Sequence, residues 1–277
     1  MMTQPEQHRF AFGRNWSAFL RLVNEERIAM AEASLRDMLG METLSGLRFL
    51  DIGSGSGLFS LAARRLGARV RSFDYDADSV RCTQTLRQRF YPDDGDWTVE
   101  QGSVLDTGYM RGLGTFDVVY SWGVLHHTGD MHAAIEHAAE ACAPGGLLFI
   151  ALYNTQPLWT PWYTAIKRAY VHAPAPGRAA ILGLYAVFHF PRMLAADLLR
   201  LRDPSARYRA PRLRGMSEWH DLKDWVGGYP LQTATPEEAT AFFERLGFAP
   251  VRTKTVGRRN GCNEFVLRRA RDEEQAP

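Results

Sequence analysis

The fold is decided by a short glycine-rich stretch, Asp51-Ile52-Gly53-Ser54-Gly55-Ser56-Gly57. An apolar run over 48–52 leads into it and predicts a strand, and the residues 58–66 after it predict a helix. Glycine lets the backbone turn tightly and lets a ligand come close to the main chain. The stretch therefore predicts a strand–turn–helix unit with a ligand at the turn, and a purely structural turn is the weaker alternative.

A second predicted strand, 69–73, is closed by Asp74, which stands 19 residues after Gly55. The carboxyl ends of neighbouring parallel strands meet at the edge where ligands bind. A carboxylate at this edge can accept hydrogen bonds from both hydroxyls of a ribose. The glycine spacing is D-x-G-x-G-x-G, and it departs from the GxGxxG pattern that suits the pyrophosphate of a dinucleotide.

Strands and helices continue to alternate along the chain, and the strands are almost continuously apolar. This pattern is typical of a parallel sheet covered on both faces. A first helix is predicted from Asn15 to Leu39, with Gly40 as its stop, and a last helix begins at Pro236. The remaining predicted elements are helices at 76–90 and 131–141 and strands at 98–101, 116–120, 147–152, 251–256 and 264–267.

At these positions the chain resembles the class I S-adenosylmethionine-dependent methyltransferases, whose first motif has the form of the stretch at Asp51. The resemblance runs from about Phe49 to Tyr153 and returns in the closing helix and strands. It implies an α/β, Rossmann-like fold with a seven-stranded, mostly parallel sheet and a helical cap insertion. It also implies transfer of a methyl group from S-adenosyl-L-methionine, with S-adenosyl-L-homocysteine as the product.

The resemblance assigns a part of the cofactor to each motif. Asp51 and the glycine loop would hold the methionine moiety, Asp74 the ribose and Tyr75 the adenine face. Ser103 stands where the family more often has an acid at the adenine edge. Trp16 is expected to fold over the cofactor or to pack in the core. The cofactor-binding residues predicted in this way are Asp51, Gly53, Ser54, Gly55, Gly57, Asp74, Tyr75, Ser103, Val104, Ser121, Trp122 and Trp16.

Two histidine motifs are candidates for the catalytic base. His126 and His127 follow the fourth strand, where a histidine can instead be structural. His220 and Asp221 lie in a stretch rich in Trp, Asp and Gly that is similar to the acceptor-site His-Asp pair of the ubiquinone-pathway O-methyltransferases, the type 11/12 group. Those enzymes carry glutamates associated with a divalent metal where this chain has Gly123 and His126. We therefore predict no metal site.

The net charge of +2 conceals a basic segment. Residues 155–215 hold ten Lys and Arg against two Asp, a charge of +8, so the rest of the chain carries −6. Eight aromatic residues accompany these cations, and scattered prolines predict that the segment is an irregular helical insertion. The segment predicts a lid over an apolar or anionic acceptor, a peripheral membrane contact or a homodimer contact. Nucleic acid is not an expected partner, because no RNA-binding module accompanies the arginines.

Five segments are predicted along the chain: an N-terminal helical segment over the cofactor (1–46), a cofactor-binding core (47–153), a basic helical cap (154–215), an acceptor loop with closing elements (216–269) and a tail (270–277). The three cysteines lie far apart, and the N-terminus lacks the pattern of a signal peptide. The apolar run 179–191 is shorter than the ~20 residues of a spanning helix. We therefore expect a cytoplasmic protein, with peripheral attachment to the inner face of the membrane as the alternative.

The acceptor is expected to be a small molecule or a lipid- or glycan-linked group, methylated on oxygen or, alternatively, on nitrogen or sulfur. Two other functions stay open at this point. One is a nicotinamide-dependent Rossmann oxidoreductase, which shares the first strand–turn–helix unit. The other is a non-catalytic, cofactor-binding scaffold.

Overall fold

The computed structural model describes Leu20, residues 23–201, Asp203, residues 218–257 and residues 259–271; for residues 218–221 and 224 it describes the backbone alone. The chain divides into two compact units. The core unit is Phe12–Gln156 with Leu231–Pro277, and the cap unit contains Pro157–Pro230.

One seven-stranded sheet organises the core unit. Its strands are β1 (Arg48–Ile52), β2 (Arg69–Asp74), β3 (Trp97–Gln101), β4 (Phe116–Trp122), β5 (Cys142–Tyr153), β6 (Phe248–Lys254) and β7 (Cys262–Arg269). Their order is β3-β2-β1-β4-β5-β7-β6, with β1 to β5 parallel and β7 antiparallel to both of its neighbours. The predicted mostly parallel α/β sheet is confirmed.

Helices of the core unit flank the sheet, and three more helices belong to the cap unit. Those of the core unit are α1 (Glu25–Leu39), α2 (Leu58–Arg65), α3 (Ala77–Phe90), α4 (Thr107–Gly112), α5 (Met131–Glu140) and α9 (Pro236–Arg245). Those of the cap unit are α6 (Thr160–His172), α7 (Ala175–Leu199) and α8 (Glu218–Gly227). A short 3₁₀ turn, Leu125–His127, follows β4.

The central strands are buried because they carry apolar side chains on both faces. Phe49 and Leu50 of β1, Val119 of β4 and Leu148 of β5 have no exposed surface. Because both faces of this sheet are covered, a ligand can reach it at the ends of the parallel strands. The carboxyl ends of β1, β2, β4 and β5 therefore decide where a ligand can approach the core unit.

The predicted helix from Asn15 to Leu39 is not continuous, because residues 23 and 24 are not helical. Helix α1 begins at Glu25, where Asn24 is extended (φ −134°, ψ 172°) and its side chain accepts a hydrogen bond from the N–H of Arg27. Asn15, the predicted cap, lies outside the described residues. Gly40 ends the helix as predicted, in a left-handed conformation (φ 66°) with its N–H bonded to the carbonyl of Arg36.

The basic segment is more regular than predicted, because it forms two continuous helices up to Leu199. Its prolines at 161 and 176 stand in the first turns of α6 and α7, where a helix does not need the missing N–H. Pro191 lies inside α7. Residues 204–217 of the segment lie outside the described part of the chain.

The apolar run 179–191 is part of the 25-residue helix α7. Among the helices of the described residues, α7 is long and apolar enough to cross a membrane by length and composition, with a mean hydropathy of 1.4. The sequence analysis counted only uninterrupted apolar residues, whereas α7 extends beyond the run at both ends. Length and composition alone support a membrane span only weakly.

Candidate functional site

The glycine loop lies between the end of β1 and the start of α2. Gly53, Gly55 and Gly57 all have positive φ, at 78°, 55° and 79°, a region that favours glycine. The N–H groups of Gly53 and Ser54 both donate to the carbonyl of Phe73, at 2.9 and 3.1 Å. These bonds tie the loop to the end of β2.

Packing beneath the loop also requires glycine. A Cβ on Gly53 would lie 2.5 Å from both methyl carbons of Val124, and one on Gly57 would lie 2.9 Å from the Cγ2 of Thr83. The Oγ1 of Thr83 is also 2.9 Å from the Oγ of Ser54. The loop is thus held from below by side chains on α3 and after β4, which no local sequence motif identifies.

Asp74 ends β2 directly beside the loop. Its Oδ2 accepts a hydrogen bond from the N–H of Gly55 at 3.0 Å, and its Oδ1 accepts one from the N–H of Asp76 at 2.9 Å. A carboxylate can accept about four hydrogen bonds, so both oxygens keep capacity for hydroxyl donors. Asp74, which the sequence places at the end of the second strand, is therefore in direct contact with the glycine loop.

Burial raises the pKa of Asp74 to about 6, because a charged carboxylate is costly away from water. The N–H groups of Asp76 and Gly55 act in the opposite direction by binding the charged form. At neutral pH the carboxylate is mostly ionised, and it becomes protonated as the pH falls through 6. Any ligand that needs the charged form is bound more weakly on the acid side.

Asp51, the acid of the first motif, is almost completely buried. It accepts a hydrogen bond from the hydroxyl of Ser60 on α2, and that hydroxyl is also 2.7 Å from the hydroxyl of Ser72 on β2. These contacts fasten α2 to the two strands that carry the loop. The further expectation that Asp51 holds part of a cofactor stays a prediction.

The predicted adenine-side residues lie at the ends of β2 and β3. The N–H of Gly102 donates to the carbonyl of Asp74 at 3.1 Å, which brings the segment after β3 next to Asp74. Tyr75 is 43% exposed and is available to a planar ligand at this edge. Ser103 accepts a hydrogen bond from the N–H of Leu105, and Val104 is buried, so Ser103 is the more accessible of the two.

On the other side of the loop, β4 brings Ser121 and Trp122 to the same edge. The hydroxyl of Ser121 donates to the carbonyl of Ile52 at 3.0 Å. The Nε1 of Trp122 donates to the Oε1 of Glu264 on β7 at 2.8 Å. Glu264 lies 142 residues from Trp122, and only the pairing of β7 with β5 brings the two together.

The two histidines after β4 form an aromatic cluster with Tyr153 at the end of β5. The ring centroids of His126 and His127 are 4.3 Å apart, and those of His126 and Tyr153 are 4.5 Å apart. His126 has no exposed surface, whereas His127 is half-buried. A base must contact its substrate, so this geometry favours His127 over His126.

The side chains of the remaining predicted residues lie outside the described part of the chain. His220 and Asp221 lie on α8 of the cap unit, where only their backbone is described. Trp16 lies outside the described residues. Within the part of the chain that is described, no group of three or more His, Cys, Asp and Glu could hold a metal ion.

A family model described as a methyltransferase domain matches residues 21–223, which is most of the chain. The chain belongs to the methyltransferase domain family. Its resemblance to the class I S-adenosylmethionine-dependent methyltransferases is confirmed by this match together with the fold.

Curated relatives of this methyltransferase domain are named ubiquinone biosynthesis O-methyltransferase. The protein from Caulobacter sp. (strain K31) is 33% identical over 144 residues, 49% of this chain and 51% of its own. The protein from Methylobacterium sp. (strain 4-46) is 37% identical over 121 residues, 43% of this chain and 46% of its own. The chain thus spans about half the length of the curated relatives it matches.

Solved structures share the fold at low sequence identity. Magnesium protoporphyrin IX methyltransferase from Synechocystis PCC 6803, with S-adenosylhomocysteine bound, has a TM-score of 0.53 and 16% identity over 93% of this chain and 94% of its own. An O-methyltransferase family protein from Burkholderia thailandensis has a TM-score of 0.54 and 16% identity over 93% of this chain and 59% of its own. These likenesses confirm the Rossmann-like methyltransferase fold.

The packing under the loop can be tested with two matched glycine substitutions. Gly53→Ala combines a positive φ with overlap on Val124, whereas Gly46→Ala has a similar φ of 80° and no atom within 4 Å of the added Cβ. We expect Gly46→Ala to lower the free energy of unfolding by about 1 kcal/mol and Gly53→Ala by about 1–3 kcal/mol more. Urea denaturation measures both, and equal losses would show that Val124 does not constrain the loop.

Proposed function

We propose that this chain transfers a methyl group from S-adenosylmethionine to the hydroxyl oxygen of a small-molecule or lipid- or glycan-linked acceptor. The observation that carries the proposal is the contact of the Asp74 carboxylate with the glycine loop, at the carboxyl ends of β1 and β2. The family match supports methyl transfer, and the names of the curated relatives support oxygen over nitrogen or sulfur as the acceptor atom.

The residues at this edge fit S-adenosylmethionine in chemical type. The positive φ of Gly53, Gly55 and Gly57 lets the loop turn tightly, and the methionine moiety would lie against its main chain. Asp74 offers acceptors for the ribose hydroxyls, and Tyr75 and Ser103 lie on the adenine side. The bound cofactor supplies an electrophilic methyl group and leaves as S-adenosylhomocysteine.

We attribute most of the rate acceleration to positioning, because an acceptor held in line with the methyl group and close to it reacts with little further catalysis. Trp122 is placed to form one wall of the site, and its bond to Glu264 fixes the indole ring. A hydroxyl acceptor also has to lose its proton as the new oxygen–carbon bond forms. We assign that proton to His127 or to His220, with Asp221 or a neighbouring acid orienting the latter.

Two alternatives remain testable. A nicotinamide-dependent oxidoreductase would bind NADH, and the glycine spacing and the family match both disfavour it. A non-catalytic scaffold would bind S-adenosylmethionine but would release no S-adenosylhomocysteine, whichever fraction of a cell extract is added as a source of acceptor. NADH titration and an assay of S-adenosylhomocysteine release distinguish both from the proposed reaction.

We further propose a cytoplasmic location, with the cap unit as the part that reaches a membrane surface or a second copy of the chain. The basic charge and exposed aromatic side chains of the cap unit support a role in contacts.

The ribose assignment is tested with two isosteric neutralisations. Asp74→Asn removes the charge that strengthens hydrogen bonds to hydroxyl groups, and we expect it to weaken S-adenosylhomocysteine binding about ten-fold or more. Asp76→Asn neutralises the next acid but keeps an oxygen that can cap α3, so its affinity should stay within about two-fold. Calorimetric titration measures both variants. Equal weakening, or no binding by the wild type, would contradict the assignment.

The base is identified by comparing the kcat of His127→Gln and His220→Gln. The acceptor is supplied by a cell-extract fraction with which the wild type releases S-adenosylhomocysteine. Loss of a positioned base typically lowers kcat by about 10²–10⁴-fold, and we expect one of the two variants to show this with unchanged affinity for S-adenosylhomocysteine. His132→Gln, an exposed histidine on α5, is the matched control. Unchanged kcat in both variants, or losses of kcat and affinity in step, would exclude the proposed base.

A further inference from the structure

Helix α7 carries an exposed apolar face, which we call the outer stripe: Leu184, Val187, Phe188, Leu194 and Leu198. These side chains are 74%, 74%, 55%, 48% and 58% exposed. Steps of three and four residues relate most of them, so they lie along one side of the helix. Large exposed apolar patches on a protein surface usually mark a binding site.

The opposite side of α7 already has a packing partner. Leu182 is buried with Leu222 and Val226 of α8, and Tyr185 stacks on Trp225 at 4.5 Å between ring centroids. Among the described residues, the packing of α7 inside the cap unit involves this inner side. That packing does not account for the apolar character of the outer stripe.

Cations accompany the outer stripe. The guanidinium of Arg192 lies 4.6 Å from the ring centroid of Phe188, and Arg200 is exposed at the end of the helix. Of the two acids in residues 155–215, Asp197 is buried. The other acid, Asp203, is exposed, so Arg192 and Arg200 leave a net positive charge among the described side chains near the stripe, which favours a negative partner.

Exposed aromatic side chains mark the start of α6 in the same unit. Trp159 is 50% exposed and Trp162 is 68% exposed, and Leu158 before them is 81% exposed. Tryptophan is favoured at the boundary between lipid and water, because its ring is apolar and its N–H is polar. An apolar helix face with arginines and interfacial aromatics is the pattern of a helix that lies on a membrane.

The charge pattern separates this partner from the alternatives. A symmetric dimer through the same face would place two basic segments against each other. Single-stranded nucleic acid is bound through phosphate contacts and the stacking of successive bases on aromatic side chains, whereas four of the five outer-stripe side chains are aliphatic. A membrane-spanning arrangement would place Arg178, Arg192 and Asp197 of α7 in lipid.

We propose that the outer stripe and its arginines dock the cap unit on the surface of an anionic lipid bilayer, with α7 lying in the interface. The apolar side chains enter the acyl boundary, and the arginines pair with lipid phosphates and anionic headgroups. This surface role is independent of the reaction proposed for the core unit.

The test is co-sedimentation of the purified full chain with phosphatidylcholine vesicles, with and without phosphatidylglycerol. We expect most of the protein to pellet with the anionic vesicles and little with the neutral ones. The triple variant Leu184→Ser, Val187→Ser, Phe188→Ser should bind at least ten-fold more weakly, and Arg192→Gln should reduce the preference for anionic lipid. Val251→Ser, at a 50% exposed apolar position in β6, is the matched control and should bind as the wild type does.

Three results would overturn the proposal: no binding to anionic vesicles, equal binding to both kinds of vesicle, or triple-variant binding equal to the wild type. A dimer seen by light scattering and lost in the triple variant would assign the stripe to a second copy instead. Displacement from vesicles by single-stranded RNA at low concentration would assign it to nucleic acid. Titration of each variant with S-adenosylhomocysteine keeps the outcome separate from the proposed reaction, since a failure of cofactor binding leaves the vesicle result standing.

Discussion

The site depends on one interaction, the hydrogen bond from the N–H of Gly55 to the carboxylate of Asp74. It joins the turn after β1 to the end of β2, so the loop and the acid keep one relative position. Because the loop residues have positive φ and pack on Val124 and Thr83, the loop has little freedom to adopt another shape. The cost of this arrangement is a partly buried carboxyl group whose pKa is raised to about 6.

Much of the core unit could be predicted from the sequence, because its determinants are local. The strand at Arg48–Ile52 and the turn positions of Gly53 and Asp74 are indicated by apolar runs and by turn residues that lie close together in the chain. The contact of Trp122 with Glu264 could not be predicted, since it depends on the antiparallel pairing of β7 with β5. The start of α1 at Glu25 was missed, because the apolar pattern from Trp16 to Ile28 continues through its cap, Asn24.

The two units differ in the charged residues that they carry. The acids Asp51 and Asp74 organise the loop and strands of the core unit, whereas the arginines of α7 and its neighbours make the cap unit basic. The prolines of the basic segment suggested irregular structure, but two of them stand in first helical turns and leave the helices continuous. That continuity produces a single outer stripe from residues that look scattered in the sequence.

The central claim is that the ionised Asp74 carboxylate binds the ribose of the cofactor, and the pH dependence of affinity tests it most directly. The measurement is the affinity of the wild type for S-adenosylhomocysteine from pH 5 to pH 8, beside that of Asp74→Asn. With a pKa of about 6, roughly one-tenth of the carboxyl groups are ionised at pH 5, so wild-type affinity should fall about ten-fold between pH 8 and pH 5 while the variant stays flat. A flat wild-type profile, or the same fall in the variant, would contradict the account.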